Sequence, residues 1–311
     1  MDIDATITRP ALRFHGSQFL NAPWIAQYMP AHETRVIPFM GGLNEEIRFP
    51  RAKLTNATDK DGRIINFFTI LRDCPDKLIR AIRLTPWHYG EYELSRVPAP
   101  DPLEDARRFW CACWMSVVGG PNPGKSGFRW TRSRDGRWST PATDSLNIDH
   151  LYDVATRLRH IHFIQGDAIA LIDRHAGVAN ALIWCDPPFL KETRISGLGT
   201  YKHETSIELH QATATALHKC VGYALITGYG WNKDGGKNEV YEELYEQHGW
   251  RRVDSERRVN GGGSRPQSLW ISPRTWQALE TEQAEREAEK QRLAEQAERE
   301  SLPLLAGIDY E

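Results

Sequence analysis

An α/β fold around a mainly parallel sheet is what this sequence predicts, on three observations. Short apolar runs alternate with stretches of helical period, the signal for βαβ units. Three of the strand-like runs close on an acid, at Asp59, Asp167 and Asp186. A length of 311 residues suits one large domain with an insertion or two modest ones, and its composition is ordinary for a protein with a substantial core.

The predicted strands are Thr34 to Pro38, Lys53 to Ala57, Ile161 to Gln165, Ala181 to Cys185 and Tyr223 to Thr227. The predicted helices are Ile64 to Arg72, Asp105 to Val117, Leu151 to Arg159, Ile207 to Lys219 and Asn238 to His248. A closing strand pair, Arg251 to Arg258 and Gln267 to Ile271, is joined through Asn260-Gly261-Gly262-Gly263-Ser264, whose glycines suit a reversal. Two segments break the alternation. From Thr85 to Asp149 a helical patch gives way to a stretch rich in Gly, Pro, Arg and Trp, read as an inserted subdomain. From Arg274 to Glu300 the chain turns to Glu, Ala, Gln, Arg and Lys, with Glu282/Arg286 and Glu295/Arg299 at i,i+4 spacing, a solvated helix outside the core. Its apolar positions, Trp276, Leu279 and Leu293, are too sparse for a heptad seam. The division is therefore 1–84, 85–150, 151–274 and 275–311.

A net charge of -2 gives no global attraction to nucleic acid, so any such affinity must come from a local basic face. The five cysteines are odd in number and lie mostly in apolar stretches, which favours reduced thiols and a cytoplasmic location. Cys111 and Cys113 have no second Cys/His pair at zinc spacing, so no metal is expected. Met1 to Pro10 carries no apolar signal core, and no run approaches the ~18 apolar residues of a membrane span.

The chemistry concentrates at Asp186-Pro187-Pro188-Phe189, directly after the apolar run Ala181 to Cys185. Proline fixes φ, lacks an N–H and biases the preceding residue toward extended backbone, so the loop is stiff and offers acceptors without competing donors. An aromatic amine is a poor nucleophile because its lone pair is delocalised into the ring. Asp186 and the Pro187 carbonyl, each accepting one N–H, favour a tetrahedral nitrogen whose lone pair faces an electrophile. Phe189 holds the ring by stacking, worth roughly 1 to 3 kcal/mol per base. Such a loop at the carboxyl end of a strand stands where open α/β sheets bind ligands. Gly41-Gly42 follows the first strand and Asp59 the second, close to the ~20 residues that separate a glycine turn from a ribose-binding acid. The absence of a full G-x-G-x-x-G argues for a nucleoside cofactor without a pyrophosphate.

The order of short motifs resembles the Dam-like, D12-class adenine-specific DNA methyltransferases of bacteria and prophages. The resemblance runs from about Arg13 to Pro273. Its marks are Phe14 to Gln18 with Ala22 to Ile25, Val36 to Gly42, Thr58-Asp59 with Asn66 to Phe68 and Leu71 to Asp73, and Gly166-Asp167. They continue through Cys185 to Phe189, Thr193-Arg194, Tyr201 to Glu204, Gly228-Tyr229, Gly249-Trp250 and Ser268 to Trp270. It implies a Rossmann-like sheet that uses S-adenosylmethionine, with a target-recognition insertion and a helical tail. By family position Phe14 and Gln18 flank the cofactor, Pro38, Phe39, Gly41 and Gly42 approach its methionine end, and Asp59 binds the ribose. Asp167 lies near the cofactor adenine, and Asp186 touches both cofactor and target amine. Two positions depart from the family: Gly16-Ser17-Gln18 stands where Gly-Gly-Lys is usual, and Met40 where glycine or alanine is common, with Glu45-Glu46 just downstream.

The implied activity is N6 methylation of adenine in double-stranded DNA. N4 methylation of cytosine uses the same amine logic, although serine often heads the motif in those enzymes, and a DNA-binding homologue without activity is the non-enzymatic alternative. A base inside a duplex must be flipped out at a cost of a few kcal/mol, which DNA contacts must offset. Lys125, Arg129, Arg132, Arg134 and Arg137, interleaved with Phe128, Trp130 and Trp138, are the expected contacts. Arg194 and Tyr201 are placed by the resemblance as a clamp on the flipped nucleotide. Trp110 and Trp114 share an apolar face and are read as core. The recognition sequence, a restriction or phage partner protein, and the choice between monomer and weak dimer stay open.

Overall fold

The computed structural model describes residues 6–117, 119–120, 127–130, 147–190, 205–232, 235–255 and 267–301. Their centre is a seven-stranded sheet in the order β3-β2-β1-β4-β5-β7-β6. The strands are β1 (Thr34–Ile37), β2 (Leu54–Asp59), β3 (Ile161–Gln165), β4 (Ala181–Cys185), β5 (Tyr223–Gly228), β6 (Arg251–Asp254) and β7 (Ser268–Ile271). The first five run parallel, and β7 lies antiparallel between β5 and β6. This is an α/β sheet compatible with a Rossmann-like arrangement. Because β1 pairs with both β2 and β4, the order reverses there, and in open α/β sheets the crevice that binds ligands lies at such a point, here beyond the carboxyl ends of β1 and β4.

Burial on both faces explains why the central strands read as apolar runs rather than as alternating patterns. With a period of two, Leu182 and Trp184 face one core cluster while Ile183 and Cys185 face the other. The first cluster also takes α1 (Ala22–Ala26), α2 (Gly62–Asp73), α3 (Pro75–Arg83), α4 (Tyr89–Ser95), α5 (Pro102–Met115) and α6 (His150–Arg157). The second gathers α7 (Ala168–His175), α8 (Ile207–His218) and α9 (Glu239–Leu244).

Helix starts follow their caps. Asp61 accepts from the Arg63 N–H, Asp101 from that of Glu104, Ser206 from that of Leu209 and Asn238 from that of Val240. Helices α1, α3, α4 and α7 had no counterpart among the predicted elements. The helical part of the 85–150 segment builds into the main core. Phe109 of α5 packs 6.1 Å from Phe67 of α2, and Arg63 Nε meets Asp105 Oδ1 at 3.0 Å. Trp110 and Trp114 are buried, as their shared face predicts. The last helix, α10 (Pro273–Ser301), docks through Trp276 and Leu279, and Glu282 Oε1 accepts from the Ala31 N–H at 2.7 Å. From 283 to 299 its residues are exposed. Among the described residues no helix is long and apolar enough to cross a membrane.

Candidate active site

The turn after β1 is built on the absence of side chains. Gly41 adopts φ +45°, in the region that favours glycine. A Cβ added at Gly42 would stand 2.7 Å from Phe14 Cβ and 2.9 Å from Asn44 Nδ2. Phe14 therefore lies directly on the glycine pair. Pro38 is buried, Phe39 is half-buried against the second core cluster, and Met40 is buried within the first.

Asp59 closes the same turn from β2. Its Oδ2 accepts from the Gly41 N–H at 3.0 Å and its Oδ1 from the Asp61 N–H at 2.9 Å. Backbone bonds from Met40 N–H to Thr58 O and from Gly166 N–H to Asp59 O, both 3.0 Å, carry the strand pairing into these loops. Asp167, at the end of β3, caps α7 through the N–H groups of Ile169 and Ala170 and meets Lys60 Nζ at 3.1 Å. Burial works against its charge, but Lys60 and the capped amides outweigh it and hold the carboxyl below its usual range. The crevice thus has Phe14, Gly41, Gly42 and Asp59 on one side and Asp167 further along the same strand ends.

Asp186 stands across it at the end of β4, half-buried as a residue. Thr227 Oγ1, at the end of β5, donates to Asp186 Oδ1, and Gln18 Nε2 donates to the same oxygen at 3.4 Å. The amide chain continues: Asn21 Nδ2 donates to Gln18 Oε1 at 3.1 Å and to Gln267 Oε1 at 2.7 Å. Beneath this, Trp184 Nε1 donates to buried Glu45 Oε1 at 3.2 Å. Burial pushes both carboxyls upward, offset in part at Asp186 by Thr227 and Gln18, and the charge of Asp186 raises Glu45 further. Both carboxyls therefore hold a proton more tightly than a solvent-exposed acid does. Glu46, its neighbour, serves a different purpose, sharing its carboxylate between buried Arg35 at 2.8 Å and buried Arg157 at 3.7 Å.

The rest of the loop is held just as firmly. Buried Pro187 is followed by Pro188, whose carbonyl accepts from His210 Nε2 of α8 at 3.1 Å. The carbonyl can only accept, so the proton sits on Nε2. Phe189 meets the Tyr229 ring edge-on, with centroids 4.9 Å apart at 72°. An aromatic pair thus stands at the ends of β4 and β5, with Phe189 three residues on from Asp186.

Of the expected DNA contacts, Arg129 is described: its guanidinium lies over the Trp87 ring at 6.0 Å, and its N–H donates to Met115 O at 2.7 Å. Trp130 is 65% exposed, stacked on Tyr89 at 6.2 Å and 5° and edge-on to Phe128 at 5.0 Å. Lys125, Arg132, Arg134, Arg137, Trp138, Arg194 and Tyr201 lie outside the described residues, as does the turn from Asn260 to Ser264.

Sequence reasoning missed Thr227, Asn21, Gln267, His210 and the role of Glu45. For Thr227 a signal existed. Cys185 pairs with Ile226 in the parallel ladder, so Asp186 and Thr227 are the next residues of both strands. The others come from loops and helices that meet the site only in the folded chain. Compared with known proteins, the chain matches no family model and no curated protein significantly.

Proposed function

We propose that this protein transfers the methyl group of S-adenosylmethionine to an exocyclic amine of a base in duplex DNA, N6 of adenine foremost. The observation that carries the reading is Asp186, fixed as an acceptor at the end of β4 by Thr227 and Gln18, directly beside Phe189. Opposite it, at the same topological switch point, stand the glycine turn and Asp59.

The residues present fit the cofactor. Asp59 presents acceptor oxygens at the end of β2, suited to a ribose diol, and the turn beside it is a glycine pair packed bare against Phe14. The two departures from the family pattern are accommodated: Gln18 still places an N–H donor on Asp186, and Met40 faces the core. Bound there, S-adenosylmethionine would supply an electrophilic methyl group. The chain's own part is to orient. Asp186 and the Pro187 carbonyl accept the two N–H bonds of the amine, which draws nitrogen toward tetrahedral geometry and frees its lone pair. Phe189 holds the ring. No strong base is required, because the amine becomes acidic as it is alkylated.

Incubating the purified protein with tritiated S-adenosylmethionine and mixed duplex DNA, followed by nucleoside analysis, tests this directly. N6-methyladenine is expected. N4-methylcytosine would reassign the base, and absence of label with retained DNA binding would overturn the enzyme reading. Asp186→Ala should abolish transfer while leaving DNA affinity within a few-fold; normal transfer by that variant would sink the mechanism.

A further inference from the structure

The amide chain beside Asp186 has a direction, and its far end is unsatisfied. Asp186 receives hydrogen bonds from Thr227 and Gln18, so Gln18 must turn its N–H toward the acid and its oxygen toward Asn21. Asn21 Nδ2 then faces two oxygens, those of Gln18 and Gln267. With its oxygen committed to Asn21, Gln267 is left with Nε2, a donor. That nitrogen is buried and meets no acceptor among the described residues, in a side chain only 4% exposed. A buried amide N–H without a partner is costly in a native protein and calls for an explanation, one of which is a ligand atom that it would meet.

Its place in the sheet puts it on the face and edge of the proposed amine site. Leu269 pairs with Thr227, the residue that donates to Asp186. Gln267 precedes Leu269 by two residues in extended backbone, paired with Ser255 through both its N–H and its carbonyl. It therefore lies on the same face of the sheet as Thr227, at the same edge as Asp186. Beside the reacting amine, adenine and cytosine both carry an unprotonated ring nitrogen, an acceptor. On that same base-pairing edge guanine carries a ring N–H beside its amine, a donor.

We propose that Gln267 Nε2 donates a hydrogen bond to the ring nitrogen adjacent to the target amine, so that Gln267 selects bases whose amino group neighbours an acceptor. The inference rests on the methyltransferase reading. Asp186 accepts from the amine, Gln267 donates to the ring nitrogen, and together they read two adjacent positions of one base edge. An analogue lacking the acceptor leaves the amide buried and unpaired, a situation against which binding sites discriminate strongly.

The test uses the full chain and duplex oligonucleotides carrying the sequence it methylates, found by sequencing modified bases in DNA of expressing cells. In one set the target adenine is replaced by 1-deazaadenine, which keeps the amine and loses the ring acceptor. The wild-type protein should lose at least tenfold in kcat/KM on the analogue. Gln267→Met, without a donor, should be slower on adenine yet show no more than a twofold preference between the two bases. Gln267→Glu, which keeps an oxygen for Asn21, should likewise lose the preference at pH 8 and regain it as the pH falls and the carboxyl gains a donor proton. Equal preference in wild type and Gln267→Met would overturn the role of Gln267 while leaving the activity standing. Failure of the wild-type protein to methylate any DNA would overturn both. If either variant does not fold, the wild-type comparison of the two bases decides alone, and equal rates reject the hydrogen bond.

Discussion

Replacing Glu46 by alanine tests whether the acidic pair after the glycine turn is divided between folding and chemistry. Glu46 is fully buried; its Oε2 accepts from Arg35 at 2.8 Å and its Oε1 from Thr55 Oγ1 at 3.1 Å, with Arg157 Nη2 3.7 Å from Oε1. Both arginines are fully buried themselves. Their Nη groups also reach neutral acceptors: the carbonyls of Pro50, Phe49 and Glu46 and the rings of His32 and His160. Those acceptors satisfy hydrogen bonds but supply no opposite charge. Alanine therefore removes the carboxylate that two buried guanidiniums share, and losing one partner of such a set costs about 3 to 5 kcal/mol. At roughly 2 to 4 °C per kcal/mol for a chain of this order of size, the Tm should fall by about 10 °C. Urea denaturation followed by circular dichroism measures the loss. Glu45→Gln is the matched control. The glutamine carbonyl can still accept from Trp184 Nε1, and a neutral amide mimics the protonated acid, so stability should stay within about 1 kcal/mol. A loss under about 1 kcal/mol for Glu46→Ala, or an equal loss for both variants, would refute the division.

Because burial raises Asp186, and its ionised form accepts the amine N–H, methyl transfer should rise with pH through the neutral range; Thr227→Val, which deletes one donor, should move that limb to higher pH, and a flat profile from pH 5.5 to 9 would contradict both. Gly42→Ala should cost about 1 to 3 kcal/mol by overpacking on Phe14 and weaken S-adenosylmethionine binding by calorimetry. Gly166→Ala, whose added Cβ would meet Thr58 Oγ1 at 3.5 Å, should be nearly neutral by comparison. His32 is lowered from 6.5 to about 4, first by burial and then by Arg35, so the unfolded chain binds more protons below pH 6.5. That stability is intact above pH 6.5 and is lost as pH falls toward 4, by at most about 3 kcal/mol for this residue; His32→Gln should flatten that part of the urea-midpoint profile, and an unchanged slope would exclude it.

The strands were legible because a sheet buried on both faces leaves continuous apolar runs. Ile161–Gln165 and Ala181–Cys185 coincide with their predicted bounds, β1 and β5 differ by one residue at one end, and β2 by one residue at its start and two at its end. Helix α7 has no counterpart in the sequence reading because Asp167 reads there as an acid that closes a strand, and the same carboxylate also caps the helix through two N–H groups. Helix α4 starts on a histidine cap, His88 accepting from the Gly90 N–H, which lies outside the usual Ser, Thr, Asp and Asn signals. The acids and glycines at strand ends were readable because the edge of a parallel sheet is a position that the strand itself marks. The amide chain was not, since Asn21 and Gln267 are 246 residues apart and neither belongs to a local pattern.

That chain also changes what the N-terminal segment does. Phe14 lies on the glycine turn after β1, and Gln18, four residues on, bonds Asp186 after β4. The two sides of the switch-point crevice are thus joined by a segment that precedes the first strand, and it is itself pinned. Asn44 Nδ2 donates to Leu12 O at 3.2 Å and to Ser17 Oγ at 2.9 Å, while Arg48 Nη1 donates to Phe19 O at 2.8 Å. A residue fixed at both ends cannot accommodate a change at one side without moving the other. Strain at Gly42 should therefore reach the orientation of Asp186 through Phe14 and Gln18. For the same reason a neutral amide suits position 18. A lysine there could pair with Asp186, but it offers no acceptor to Asn21 and would cut the chain that orients Gln267. Gln18 is then part of a consistent set, with Asn21 and Gln267 as its counterparts.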